Sequence, residues 1–394
     1  MGEEIHYTEK KLIHEQWAYK YFLKLRQKVA VQETSDAFHI LTPHEIKAIR
    51  RIERTAYAIA AFYGVLGVIL LYIPYWAYPT FFPSWTLQVP ALGSSPVQVP
   101  WGFMLYGFIL VFIELAALTL LNLWVVHKIA HICRFPSMND PNYNTHMEAL
   151  FIVGMEKESK RVLAFGINPL AGVSKLRMTL YTALFLFKAT ISNLFMKFIL
   201  RKLTGRLAIR AYVDLIGIPV FAFWNAFATH LVVKRAKIRI LASSLIQQLD
   251  DHLRRTLALG DNEVFKDIIY DTLQYIAQNK RDFHYNHYLM TNMLILGFGL
   301  PIKKDHTVDK VAFFEKIKYL KGKEKEGFFK MFLFGMLIDG QLSRKEKKII
   351  DQLYGDGILQ VNSQQAKIWV KQFLKGEGLG SFFQTSFTVA TQVT

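Results

Sequence analysis

The sequence predicts an all-α protein, a polytopic helical membrane protein with a cytoplasmic α-helical C-terminal domain. Three observations lead to this fold class. Of the 394 residues, 52% are hydrophobic, and they lie in blocks rather than being spread evenly. Residues 55–113 carry no charge, although the formal net charge of the chain is +17. Neither the alternation typical of strands nor a repeat of fixed period is visible between the blocks.

Residues 1–54 are predicted to form cytoplasmic amphipathic helices. The first 30 residues have no uninterrupted apolar core of a signal peptide, so we expect insertion to depend on an internal segment. Thr42 is suited to be an N-cap, Pro43 the first helical residue and Glu45 the returning carboxylate of a capping box. A helix is therefore expected to begin in water here and continue into the membrane.

Residues 55–126 are predicted to form a transmembrane hairpin with an outward loop at about 74–101. The run 55–73 is uncharged and close to the roughly 20 residues that cross a bilayer, and Pro74 is expected to end it. The second run, 102–126, is interrupted only by Glu114. Tyrosines and tryptophans flank the loop as an interfacial belt would.

Basic residues lie on the outer flanks of both runs and predict their orientation. Lys47, Arg50, Arg51 and Arg54 precede the first run, and Lys128 and Arg134 follow the second. By the positive-inside rule both flanks are cytoplasmic. We therefore expect a multi-pass protein of the bacterial cytoplasmic membrane with both termini in the cytoplasm.

After a cytoplasmic helical linker at 127–177, residues 178–239 are predicted to form a second, more polar membrane pair. Its connector, 197–210, is strongly basic. Two full crossings would put this connector outside, against the positive-inside rule, whereas a re-entrant pair would keep it on the cytoplasmic face. Both alternatives stay open, and the re-entrant pair is preferred. The residues expected to bind anionic lipid are Lys197, Arg201, Lys202, Arg206 and Arg210.

Ionisable side chains inside the apolar runs are candidates for function, because each is costly in lipid unless it is paired or hydrated. These residues are Glu114, Lys188, Asp214 and His230. A pair between Asp214 and Lys188 would suit an ion or proton path, whereas helix packing and assembly explain the same residues more simply. The small residues Ala60, Gly64 and Gly67 allow close helix approach and favour assembly.

Residues 240–394 are predicted to form a cytoplasmic helical domain with a loosely ordered tail after residue 375. Within residues 328–354 an apolar helix is followed by a turn at Asp339-Gly340 and a second helix. Ser343 is the expected N-cap of that helix and Glu346 its capping-box partner.

This helix followed by D-G-x-L-S-x-x-E resembles the repeated turn of TerB-like (tellurite-resistance type) helical domains. The resemblance implies a compact cytoplasmic α-helical module associated with membrane-linked stress responses and protein assembly. It raises an acidic ion site as an alternative role for Asp339 and Glu346, but capping is the preferred interpretation.

Other chemistries find little support in the sequence. There is one cysteine, Cys133, and no P-loop, dinucleotide fingerprint, nucleophile elbow or H-E-x-x-H motif. The histidine pairs in HKIAH and FHYNHY lack the adjacent histidines of a membrane di-iron box and are interpreted as snorkelling or surface residues. The basic residues lie at membrane edges and do not indicate nucleic-acid binding. No cofactor is expected.

The sequence therefore favours a membrane-anchored scaffold or adaptor over an enzyme. Its expected partners are anionic lipids and a protein, and a homo-oligomer is compatible with the pattern. The alternative is an ion- or proton-coupled transporter or channel that uses Glu114, Lys188 and Asp214. A weaker alternative is a histidine-box membrane metalloenzyme.

Overall fold

The computed structural model is helical throughout most of the chain that it describes, which is residues 13–27, 41–87, 97–99, 101–136, 143–156, 161–171, 210–280 and 284–387. The α-helices are α1 (Ile13–Gln27), α2 (Pro43–Ala77), α3 (Trp101–Ile132), α4 (Tyr143–Gly154), α5 (Arg210–Asp251), α6 (Glu263–Lys280), α7 (Tyr285–Gly297), α8 (Lys310–Tyr319), α9 (Gly322–Leu337), α10 (Arg344–Gly355), α11 (Ser363–Lys375) and α12 (Gly380–Gln384). The predicted all-α class is confirmed.

The chain divides into two compact units. The first, which we call the helical unit, comprises residues 1–49, 127–174 and 234–394. The second, which we call the apolar unit, comprises residues 50–126 and 175–233. Helices α2, α3 and α5 each have residues in both units.

Helix α2 begins as the sequence predicts but continues past its predicted end. Its start is a capping box, in which Thr42 N donates to Glu45 Oε2 at 2.8 Å and Glu45 N donates to Thr42 Oγ1 at 3.3 Å. The prediction that Pro74 ends the helix is wrong, because α2 runs to Ala77. Proline removes one helical hydrogen bond to the residue four positions earlier. Leu70 is that residue, and its carbonyl oxygen instead accepts the Tyr106 hydroxyl at 2.8 Å.

A short antiparallel pair of strands interrupts the otherwise helical fold. Strands β1 (Trp85–Leu87) and β2 (Val97–Val99) pair in the register Trp85↔Val99 and Leu87↔Val97. The sequence does not predict this pair, because each strand has only three residues, too few for an alternating pattern to be recognised.

In the apolar unit α2 packs on both α3 and α5, and its small residues make this possible. A Cβ at Gly64 would lie 2.6 Å from the backbone of Phe221 in α5, and one at Gly67 would lie 3.2 Å from Glu114 Oε2 in α3. The ring of Tyr75 in α2 contacts that of Phe103 in α3 at 4.5 Å between centroids. The two contacts with α3 run in opposite chain directions, and so do Gly64–Phe221 and Tyr57–His230 between α2 and α5, so α2 is antiparallel to both partners.

Helix α9 is the centre of the helical unit. Every residue from Gly327 to Leu337 is buried, and the helix packs mainly against α6 and also against α11. Gly335 allows the contact with α6, since a Cβ there would lie 2.5 Å from Ile276 Cδ1. An apolar helix of this kind needs partners on all sides, which the surrounding amphipathic helices supply.

The tail is more ordered than predicted as far as Phe387. Phe382 and Phe387 are fully buried, and both rings contact that of Trp369 in α11. The expectation of a loose tail is therefore wrong for residues 376–387. Its polar and glycine-rich composition hid three phenylalanines that the core of the helical unit requires.

Several predictions fall on residues outside the described part of the chain. The run 178–196 with Lys188 is one of them, and so are four connector residues, Lys197, Arg201, Lys202 and Arg206. Arg210 and Asp214 lie in α5, but their side chains are not described. The run 211–233 forms part of α5.

Candidate functional site: an acidic turn closed by an internal lysine

The predicted turn at Asp339-Gly340 joins α9 to α10. Asp339 Oδ1 accepts a hydrogen bond from Gln341 N at 3.0 Å, which is an Asx-turn contact. Gly340 has a φ of +71°, and a Cβ there would lie 2.8 Å from Ile238 and 2.9 Å from Leu374. The left-handed backbone conformation therefore favours glycine at this position.

The capping box of α10 is present. Ser343 N donates to Glu346 Oε2 at 2.8 Å, and Glu346 N donates to Ser343 Oγ at 3.2 Å. Glu346 is completely buried, which is unusual for a capping glutamate because this position normally faces water. The second carboxylate oxygen of Glu346 therefore needs a further partner inside the protein.

Lys280, the last residue of α6, is that partner. Its Nζ lies 2.8 Å from Glu346 Oε1 and 2.8 Å from Asp339 Oδ2. The same ammonium donates to two backbone carbonyl oxygens of the turn, Met336 O at 2.7 Å and Gln341 O at 3.0 Å. The Lys280 side chain is 4% exposed and that of Glu346 is 1% exposed.

This arrangement decides what the acidic turn does chemically in the structure. Two carboxylates and two carbonyl oxygens directed at one point would suit a hard cation. Here the lysine ammonium occupies that point, where it donates hydrogen bonds to the two carbonyl oxygens and forms ion pairs with the two carboxylates. Asp339 and Glu346 thus neutralise an internal cation, and Glu346 also caps α10.

Buried polar side chains from α7 support the turn. Asn286 Nδ2 donates to the carbonyl oxygens of Ile338 at 2.8 Å and Ile238 at 3.3 Å, which ties α5 and the end of α9 to α7. His287 Nε2 lies 2.9 Å from Gly335 O, so this nitrogen carries a proton. The FHYNHY motif therefore contributes a buried hydrogen-bonded layer, and its interpretation as a surface or snorkelling pair is wrong for His287.

His284 begins α7 as its N-cap, with Nδ1 accepting from Asn286 N at 3.3 Å. Burial lowers the pKa of His284 to about 3, and His287, Arg239 and Lys280 act in the same direction while Asp339 opposes them. A neutral ring is required for Nδ1 to accept this hydrogen bond. The cap therefore depends on an unprotonated imidazole.

The apolar unit holds a second polar contact that involves a predicted residue. Asn225 Nδ2 in α5 donates to Glu114 Oε1 in α3 at 2.7 Å, and both side chains are buried. The other carboxylate oxygen of Glu114 faces Gly67 of α2. Glu114 therefore lies where all three helices meet, as the packing interpretation of this residue expects.

His230, the other predicted intramembrane residue with a described side chain, is close to α2. Its Nδ1 lies 3.1 Å from the hydroxyl oxygen of Tyr57. The predicted pairing of Asp214 with Lys188 lies outside the described side chains.

Within the described residues, no group of three or more His, Cys, Asp or Glu side chains is placed to hold a metal ion. The HKIAH histidines stack at 6.4 Å between ring centroids, and His127 is buried. The surface interpretation is therefore also wrong for His127.

Sequence reasoning missed Lys280 and did not select Asn225. A lysine in the last turn of an amphipathic helix is normally explained by solvation and by the helix dipole, so Lys280 carries no local signal. Asn225 is a polar residue within an apolar run, which is a signal, but its partner is 111 residues away.

No protein-family model, curated protein or solved structure matches this chain.

Proposed function

We propose that this protein is a membrane-anchored adaptor, in which the α2–α3 hairpin holds the chain in a bilayer and the helical unit binds a protein partner. The observation that carries the proposal is the exposed apolar surface of the hairpin. Within the described residues α2 and α3 are the two helices long and apolar enough to cross a membrane. In the most apolar 18-residue stretch of each helix, only 22% of the stretch is buried in α2 and 39% in α3.

The exposed residues of these helices are large as well as apolar. Phe62 and Ile73 in α2 are 58% and 53% exposed, and Phe112 and Ile113 in α3 are 58% and 60% exposed. Soluble monomers rarely expose contiguous apolar patches beyond a few hundred Å². Exposing these apolar side chains to lipid carries no such free-energy cost, and this supports the role of the hairpin as a membrane anchor.

The orientation in the proposal follows from charge. The arginines before the first span and the basic residues after the second favour a cytoplasmic position for both termini, in a bacterial inner membrane. In this proposal the basic connector 197–210 contacts anionic headgroups, at about 1 kcal/mol per nearby cation. Self-association of the chain is compatible with it.

The helical unit is the adaptor module in this proposal. Its acidic turn, which resembles that of TerB-like domains, has both carboxylates paired with Lys280, and this supports a structural role for the turn. The burial of the whole second half of α9 supports a rigid module that recognises a partner through its outer helices.

The transporter alternative has one favourable observation, the buried Glu114 carboxylate between three helices. Its hydrogen bond with Asn225 accounts for the residue as a packing contact, so we rank the adaptor first. Replacing Glu114 by Gln separates the two, because an adaptor would keep partner binding and any ion flux would be lost.

Two measurements test the adaptor. The membrane fraction is first washed with alkaline carbonate, and we expect the protein to stay in the pellet. A Phe112→Asp/Ile113→Asp variant should be released, whereas a Val311→Asp variant, altered at an exposed apolar residue of the helical unit, should not. Release of the wild type would overturn the anchor.

The protein is then purified in mild detergent and co-purifying proteins are identified. The proposal expects a stoichiometric partner that is lost when the helical unit is destabilised. Recovery of the protein alone, from cells in which it is stably inserted, would overturn the adaptor role and leave the anchor intact.

A further inference from the structure

Residues 379–387, which we call the C-terminal strap, lie on the helical unit as a bound peptide would. Phe382, Phe383 and Phe387 of the strap are buried. Their rings contact residues of α9, α11 and the turn after α5. The centroid distances are 6.1 Å for Phe334–Phe382, 5.1 Å for Trp369–Phe382, 5.7 Å for Trp369–Phe387 and 5.5 Å for His252–Phe383.

Side chains of α9 hold the backbone of the strap. Lys330 Nζ donates to Phe383 O at 2.7 Å and to Thr385 O at 3.2 Å. Glu326 Oε2 accepts from Phe387 N at 2.9 Å. Gln360 N, between α10 and α11, donates to Phe387 O at 3.1 Å. These contacts are to main-chain atoms and therefore do not depend on which side chains lie between the phenylalanines.

Lys330 and Glu326 are a charged floor beneath an otherwise aromatic groove. Their Nζ and Oε1 atoms are 3.3 Å apart, one helical turn from each other, and Lys330 is 3% exposed. Burial lowers the pKa of Lys330, while Glu326 opposes this. A buried ion pair contributes less to stability than well-packed apolar residues of similar volume, but it recognises its partner more specifically.

The charged floor also affects the groove after the strap has left. An uncovered apolar groove would be costly in water, whereas an i,i+4 Glu–Lys pair is readily hydrated on a helix surface. The same two residues therefore hold the strap when it is docked and lower the cost of exposing the groove when it is released. That combination is suited to a strap that detaches rather than to a permanent part of the core.

We propose that the groove between α9 and α11 is a peptide-docking site that the C-terminal strap occupies in cis. Its other ligand is a partner segment with two adjacent aromatic residues and a third four residues further on. The aromatic side chains enter the ring cluster, and the segment's carbonyl and amide groups bind Lys330 and Glu326. This inference rests on the proposed adaptor function, because it gives the partner's chemistry.

The test uses the full-length protein in detergent and a fluorescent peptide with the sequence of residues 380–387, GSFFQTSF. A Phe387→Ala substitution in the chain loosens the strap without altering the peptide. We expect the Phe387→Ala protein to bind the peptide at least tenfold more tightly than the wild type does, measured by fluorescence anisotropy. A peptide with all three phenylalanines changed to alanine is the control ligand.

A second substitution tests the role of the charged floor. Adding Lys330→Met to Phe387→Ala keeps the volume and removes the ammonium, and we expect the tenfold gain to disappear. Adding Lys318→Met instead, at an exposed lysine of α8, should preserve it. A gain that survives Lys330→Met, or no gain in Phe387→Ala, would overturn the proposal.

Hydrogen exchange on the unaltered protein covers the case in which Phe387→Ala fails to fold. We expect the strap amides of Phe383, Thr385 and Phe387 to exchange at least 100-fold faster than the amides of residues 328–337, because the strap opens locally. Equal rates would mean that the strap opens only on global unfolding, and the docking site would be refuted. Neither assay depends on membrane insertion or on a cellular partner. A negative result therefore refutes the docking site without refuting the adaptor function.

Discussion

The Nζ atom of Lys280 lies 2.8 Å from Oε1 of Glu346, and both side chains are almost completely excluded from water. The two residues belong to different helices, so this ion pair joins the end of α6 to the start of α10. Asp339 shares the same ammonium. The turn that resembles an acidic ion site is thus completed by a cation from the chain itself.

Removing that cation should strongly destabilise the helical unit. Lys280→Met leaves the buried Glu346 carboxylate and the partly exposed Asp339 carboxylate without a counter-charge, and we expect a loss of about 3–5 kcal/mol in unfolding free energy. Urea denaturation of the purified protein, followed by circular dichroism, measures this loss. Lys318→Met, which breaks an exposed pair with Glu315, should leave the midpoint unchanged.

The double variant Lys280→Met/Glu346→Gln checks the cause. This variant also removes the unpaired charge of Glu346, so it should recover part of the stability that Lys280→Met loses. A double variant less stable than Lys280→Met alone would contradict the ion-pair explanation.

His284 should contribute to a loss of stability of the helical unit as the pH is lowered. The folded pKa of His284 is about 3 and its ordinary value is 6.5, so the unfolded state binds the proton more readily. Stability from this residue is complete above pH 6.5 and is lost as the pH falls toward 3, by up to about 1.4 kcal/mol per pH unit.

His284→Asn provides the matched comparison, because asparagine is a good N-cap and does not titrate. We expect the urea midpoint of the variant to change less than that of the wild type between pH 6.5 and 5. If the urea midpoints of the two proteins changed equally between pH 6.5 and 5, His284 would not titrate as described.

Close packing of α2 against α5 should make Gly64 intolerant of even a methyl group. In Gly64→Ala the added Cβ would lie 2.6 Å from the carbonyl carbon and oxygen of Phe221, and main-chain atoms cannot move away easily. We expect a loss of about 1–3 kcal/mol, seen as a lower midpoint of thermal unfolding in detergent.

Gly355→Ala is the control for this substitution. A Cβ at Gly355 has open space around it, so the change should be neutral or slightly stabilising. Equal effects of the two substitutions would contradict the close approach of α2 and α5.

The contact between Glu114 and Asn225 should be measurable as a coupling energy. In a double-mutant cycle of Glu114→Ala and Asn225→Ala, we expect a coupling of about 1 kcal/mol, within the range of polar contacts between membrane helices. Glu114→Gln should cost less than Glu114→Ala, since it keeps an acceptor oxygen. Additive effects in the cycle would mean that the two side chains do not depend on each other.

The helices and their ends were largely predictable from the sequence. Capping boxes at Thr42 and Ser343 and the two long apolar runs are patterns of neighbouring residues, and short-range hydrogen bonds and periodicity determine them. The end of α2 was not predictable in this way. The carbonyl freed by Pro74 is satisfied by Tyr106 of another helix, a contact that no local pattern records.

By itself, then, the sequence determined the all-α class, the positions of the apolar hairpin and the capped turn at Asp339-Gly340. Only the tertiary structure decided which charges meet. Lys280 binds the turn across 56 residues, Asn225 meets Glu114 across 111, and Lys330 holds the strap across 53. The physical reason is that a buried charge must find its partner wherever the packed helices place one, and packing depends on the whole chain.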